Sequence, residues 1–117
     1  LGGFLVYTDR LKVELLGVAP QLLAEHTAVS EPVAAAMAEA ARARTGSTFA
    51  LSTTGVAGPA GGTEATPVGT VFIGVAGPQG ARVQRFRFLG NRERVRVLAA
   101  QTALDLLRRV VAALRIE

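Results

Sequence analysis

Lys12 is the single lysine of this chain and Tyr7 its single tyrosine, against twelve arginines. An ammonium in a partly dry site can give up its proton and act as a base, which a guanidinium cannot do. Tyr7 closes an apolar run and Lys12 falls in the first turn of the helix expected after it, the kind of junction where α/β proteins place ligands. Chance retention of one lysine on the surface is the competing reading. His26 is also single, so a multi-histidine metal site is excluded and a Ser-His-Asp triad would rest on that residue alone. Glu31, Glu39, Glu64 and Asp105 lack the paired spacing of a glycosidase or a metal cage. With no cysteine in the chain, disulfides and thiolate metal sites are excluded. Neither a metal nor a cofactor is expected.

A second candidate is the stretch from Thr54 through Gly55, Ala57, Gly58, Gly61, Gly62 and Thr63 to Pro67, which has five glycines between Gly55 and Gly69. Glycine lets a backbone approach a ligand and present its amides to an anion, and the length exceeds an ordinary connection. The pattern lacks the lysine of a P-loop and is not followed directly by a helix, as a dinucleotide-binding turn would be. A ligand loop and a long surface turn both remain open.

The third candidate comes from the last helix. At roughly 100° per residue, Arg94, Gln101, Asp105, Arg108 and Arg115 share one arc. Arg92 and Arg96 fall opposite, in line with Ala99, Ala103, Leu106, Val110 and Leu114, the expected core face. Arginines on the buried side of a first turn need an anion, and a helix N-terminus suits phosphate. The alternative is that both bend outward, or pair with a carboxylate such as Glu31 or Glu64.

The elements that must position these residues follow from pattern. Gly3–Thr8 reads as a strand, Leu11 to Leu16 as a short helix stopped by Gly17, and Pro20 to His26 as another. Ser30 caps a helix running to about Arg44. Phe49–Thr53 reads as a strand, the glycine loop follows, and Gly69–Ala76 and Arg82–Leu89 read as a hairpin joined by Gly77-Pro78-Gln79-Gly80. Asn91 caps the last helix. This order implies an α/β fold with three layers, a mixed sheet flanked by helices, in one domain over residues 1–117.

Half of the 117 residues are apolar and the net charge is +4. Residues 1–80 hold four basic and six acidic groups and residues 81–117 hold nine and three. Most arginines of the last third sit on one strand and one helix, where an ordinary solvated face accounts for many of them, and no basic cluster motif is present, so nucleic-acid binding is not expected. No stretch reaches the roughly 20 apolar residues of a membrane span and no export leader is seen, so a cytoplasmic protein without a membrane partner is expected.

The chain resembles the CinA C-terminal domain family over nearly its whole length. The resemblance rests on Tyr7 with Lys12 and Leu16-Gly17-Val18, and on His26 with Ala28-Val29-Ser30-Glu31-Pro32-Val33. It also rests on Thr54-Gly55-Val56-Ala57-Gly58-Pro59 with Gly61-Gly62-Thr63 and Pro67-Val68-Gly69-Thr70-Val71, and on Phe88 with Gly90, Arg92 and Arg96. It implies that the intact protein deamidates nicotinamide mononucleotide to nicotinate mononucleotide and ammonia through an acyl-enzyme, without metal or redox cofactor. Lys12 would be the general base, helped by Tyr7. Thr54 and the amides of Gly55, Ala57, Gly58, Gly61, Gly62 and Thr63 would hold the substrate or its oxyanion, and Arg92 or Arg96 would take the phosphate.

The family's nucleophilic serine lies in a Glu-Ser-Cys-Thr-Gly-Gly motif ahead of the position of Leu1. The expectation is therefore an N-terminally incomplete domain, lacking a strand-helix segment and inactive by itself. Thr8-Asp9-Arg10 replaces the family's usual Ser-Asn-Glu, Thr27 a glycine, and Asn91 an aspartate. Exposed sheet edges make a homodimer the expected assembly. The alternative reading is a non-catalytic nucleotide-binding or dimerisation module of a larger CinA-like protein.

Overall fold

The structure, a computed structural model, describes residues 2–116, with the backbone alone for 114–116. Three helices come first: α1 (Asp9–Leu16), α2 (Pro20–His26) and α3 (Glu31–Thr45). The sheet follows as β1 (Ala50–Gly55), β2 (Thr70–Gly77) and β3 (Gly80–Arg87), and α4 (Arg92–Ile116) closes the chain. Local chemistry sets these limits. Thr8 caps α1 by accepting from the Leu11 amide at 3.1 Å, and Ser30 caps α3 through the Val33 amide at 3.4 Å. Gly17 and Gly46 end α1 and α3 in the left-handed conformation that an L side chain disfavours. Asn91 accepts from the Arg94 amide at 2.9 Å and so starts α4.

The strand order is β1-β2-β3, antiparallel in both pairings. The α/β architecture and its three layers are as expected, with α3 on one face and α4 on the other. The sheet is not mixed among the described residues. The further strand expected at Gly3–Thr8 forms no ladder: residues 2–7 run without regular structure, and a groove of about 650 Å³ lies between them and β1. A strand-like composition describes a surface ready to pair and forms a ladder only beside a strand within hydrogen-bond reach. The hairpin is tighter than the sequence suggested. Gly77 pairs with Gly80, so the ladder runs up to a two-residue Pro78-Gln79 turn, and Leu89 falls beyond the strand, largely exposed.

Which residues face which layer follows from the register. Ser52 is opposite Gly74, and the Ser52 hydroxyl donates to the Ala34 carbonyl of α3 at 2.6 Å. A Cβ on Gly74 would lie 2.6 Å from that hydroxyl oxygen and 2.8 Å from the same carbonyl, so glycine alone lets α3 come this close. Val33, Ala34 and Ala38 of α3 are consequently sealed from solvent. Val33 joins Met37, Leu16, Val18 and Leu23 in a core among the first three helices. On the other face, Val71 and Ile73 pack against Val95, Ala99 and Ala103 of α4. Burying each of these larger side chains contributes about 1.5–3 kcal/mol.

Thr27 ends α2 with φ 65° and ψ 165°, a region populated almost entirely by glycine and costing other residues about 1–3 kcal/mol. Its side chain is exposed and its amide bond to the Leu23 carbonyl, 2.9 Å, needs no side chain. Thr27→Gly removes the strain and adds a smaller chain-entropy cost of about 0.5–1 kcal/mol. Thermal denaturation should show a gain of about 1 kcal/mol, a midpoint roughly 4 °C higher. An unchanged or lower midpoint would contradict the strained backbone.

Candidate active site

Lys12 sits one turn into α1, and long side chains of a helix lean back toward its N-terminus. Its ammonium donates to the Val6 carbonyl at 2.9 Å, and the residue is 5% exposed. The lone lysine is therefore buried, not a surface remnant. Tyr7 lines the same groove but is 66% exposed. Across the groove runs β1 from Leu51 to Gly55, and over it stand Arg92, Val95, Arg96, Ala99, Ala103 and Leu104 of α4. The groove's lining thus includes an ammonium, a phenol, two guanidiniums and the hydroxyl-bearing Ser52, Thr53 and Thr54, with apolar side chains making up most of the rest.

Thr54 is 8% exposed and its hydroxyl donates to the Ala28 carbonyl at 2.7 Å. That bond uses the hydroxyl's one proton, which leaves its oxygen able only to accept from other partners. The glycine loop is closed at its base, where the Val56 amide donates to Thr70 at 2.9 Å and the Gly69 amide to Val56 at 2.7 Å. Gly55 and Ala57 line the groove, whereas Gly58, Gly61, Gly62 and Thr63 do not. Gly62 serves the loop's own packing: a Cβ there would lie 2.8 Å from the Val68 amide nitrogen. Thr63 bonds Thr66 through both its hydroxyl, 2.9 Å, and its amide, 3.0 Å.

Arg92 and Arg96 lie on the groove, as the helical count placed them, but both are exposed. The buried stripe of α4 is Val95, Ala99 and Ala103, with Leu106 half-buried beside it. Val95 of the same turn is buried against Val71 and Ile73, while the two arginines on either side of it stay in solvent along the groove. Neither is paired with Glu31 or Glu64; the arginine ion pairs of the described residues are Arg10–Glu14, Arg108–Asp105 and Arg109–Asp105. The Arg92 guanidinium donates to the Gly58 carbonyl at 3.2 Å, whereas Arg96 makes no side-chain hydrogen bond among the described residues. On the solvated arc, the hydrogen bond from Arg108, with Arg109 close by, holds the Asp105 carboxyl below its ordinary range. Leu114 and Arg115 of that count lie outside the described side chains.

His26, in the last turn of α2, is exposed and 3.9 Å from Glu25, away from the groove. No cluster of three or more metal-ligating side chains occurs among the described residues, and none of the described helices is long and apolar enough to cross a membrane. The sequence reading missed the groove's apolar walls. The small and apolar run Ala99, Ala100, Ala103 and Leu104 was their only trace, because a residue lining a cleft has the same type as one filling a core.

The family model described as CinA C-terminal domain matches residues 1–111. A CinA-like protein of Solibacter usitatus is 53% identical over 108 residues, 92% of this chain and 26% of that protein. One of Geotalea daltonii is 50% identical over 113 residues, 97% of this chain and 27% of that protein. Among solved structures, a competence-damaged protein (CinA) superfamily protein of Klebsiella pneumoniae aligns with a TM-score of 0.87 at 34% identity, covering 92% of this chain and 67% of that one. One from Escherichia coli aligns at 0.84 and 36% identity, over 89% and 60%. The chain thus spans about a quarter of the curated relatives' length.

The Thr54 bond ties β1 to the turn before α3 at the groove's end. Thr54→Val keeps the shape and orphans the buried Ala28 carbonyl, which should cost about 1–2 kcal/mol in chemical denaturation, while Thr54→Ser should recover most of it. Equal stability of all three proteins would show that the bond contributes nothing.

Proposed function

The chain belongs to the CinA C-terminal domain family, and from that premise we propose that the intact protein hydrolyses the carboxamide of nicotinamide mononucleotide to nicotinate mononucleotide and ammonia. The observation that carries this reading is the buried Lys12, 5% exposed, its ammonium held by the Val6 carbonyl in a groove that Arg92, Arg96 and a set of apolar side chains also line. An amine held in one position by the Val6 carbonyl is placed to exchange a proton with a group bound in the groove, and the flat pyridine ring suits the apolar wall.

In the proposed reaction, the hydroxyl of the serine from the upstream Glu-Ser-Cys-Thr-Gly-Gly motif attacks the carboxamide carbon, and Lys12 accepts its proton. The tetrahedral intermediate collapses with cleavage of the C–N bond, and the proton from Lys12 leaves with ammonia. Water then attacks the acyl ester, Lys12 again taking the proton, and frees the carboxylate and the serine. Tyr7 hydrogen-bonds the reacting groups from the groove's rim. Thr54 orients the end of β1, its proton being held by Ala28, so the developing oxyanion falls to backbone amides near Gly55 and Ala57. Arg96, free of side-chain partners among the described residues, takes the phosphate, while Arg92 holds the loop through Gly58. A homodimer belongs to the same proposal, since β1 and β3 each leave one edge unpaired in this sheet.

The full-length protein should release ammonia from nicotinamide mononucleotide. Lys12→Met, matched in length, should lower kcat by about a thousandfold or more at little cost in nucleotide affinity. Arg96→Ala should raise KM about tenfold with kcat nearly unchanged. A folded wild type that binds the nucleotide and releases no ammonia would overturn hydrolysis and leave a binding module.

A further inference from the structure

We infer that Arg85, on β3, is a positioning residue that preorganises the glycine loop for the nucleotide; the inference rests on the functional reading above. Among the described residues, three side chains from outside the loop form hydrogen bonds to it: Thr70 closes its exit through the Pro67 carbonyl at 2.6 Å, and two arginines reach further in. Arg92 reaches the Gly58 carbonyl at 3.2 Å on the limb beside the groove. Arg85 donates through Nη2 to the Ala65 carbonyl at 2.8 Å on the far limb. Two glycines, Gly61 and Gly62, separate these limbs, so neither anchor alone can hold the other side.

The register explains why Arg85 can do this. It stands directly opposite Phe72 on the antiparallel ladder, where facing side chains share one face of the sheet. Its guanidinium carbon lies 5.5 Å from the centre of the Phe72 ring, and Phe72 is itself buried. The guanidinium lies over a buried ring while its Nη2 reaches the carbonyl, so ring and carbonyl hold the same group from two sides. Beyond this strut the tip holds itself only through Thr63 and Thr66.

A loop ordered before the ligand arrives spares binding the entropy of ordering it. Loss of the strut should therefore raise KM and leave the chemical step alone, since Arg85 does not line the groove. A residue needed only for folding would lower the melting temperature and leave KM in the surviving folded protein unchanged.

The test compares wild type, Arg85→Ala and Arg85→Lys in the full-length protein by amide hydrogen exchange over residues 56–69, by KM and kcat for nicotinamide mononucleotide, and by melting temperature. In Arg85→Ala the loop amides should exchange roughly three- to tenfold faster and KM should rise by a similar factor, with kcat within about twofold, the scale of one exposed charge-assisted hydrogen bond. Arg85→Lys should fall between the two. Unchanged exchange in Arg85→Ala overturns the strut, and faster exchange with an unchanged KM overturns its role in positioning. If the wild type shows no turnover, the hydrolytic reading fails separately. Nucleotide affinity by calorimetry then takes the place of KM, with the same two outcomes deciding the inference.

Discussion

The close approach of α3 to the sheet is the constraint on which the remaining architecture depends. Gly74 leaves room for the Ala34 carbonyl to reach the Ser52 hydroxyl at 2.6 Å. That contact seals one face of β1 and β2 and brings the turn before α3 within reach of Thr54. A buried hydroxyl at that depth needs a partner, and the Ala34 carbonyl supplies one to Ser52 without widening the gap between layers. With α3 seated, α1 and α2 have a surface on which to pack Leu16 and Leu23. The start of α1, and with it Lys12, is placed as a consequence.

The other face of the sheet has a different character. There α4 covers Val71 and Ile73 through a narrow stripe of Val95 and two alanines, and the arginines on either side of Val95 line the groove. Each of Arg92 and Arg96 is anchored on a helix, each is exposed, and neither is held by a carboxylate. One is spent on the Gly58 carbonyl. The groove therefore combines a buried lysine with a solvated guanidinium, a combination suited to a substrate that is neutral and flat at one end and anionic at the other.

Much of this was legible in the residues. The caps Thr8, Ser30 and Asn91, the stops Gly17 and Gly46, and the Pro78-Gln79 turn are local signals, and each acts over three or four residues. The helical count placed Arg92 and Arg96 on the side of α4 that faces the groove. It assigned them burial, because periodicity reports direction and cannot report whether anything stands opposite. Gly3–Thr8 has a strand's composition and no ladder for the same reason: β-propensity describes a surface ready to pair, and pairing needs a neighbour at the right distance.

By itself, then, the sequence determined the helix limits, the hairpin, the loop's glycine content and the uniqueness of Lys12 and Tyr7, all of them properties of short-range sterics and hydrogen bonding. Its matched blocks also carried the resemblance to the family. Only the tertiary structure decided that Lys12 is buried against Val6 while Tyr7 stays open, that the Thr54 proton is held by Ala28, and that the far limb of the loop hangs on Arg85. Those outcomes depend on groups distant in the chain arriving at one place, 20 residues apart for Arg85 and Ala65 and 26 for Thr54 and Ala28. Such meetings are set by how the layers pack, which residue type and spacing do not encode.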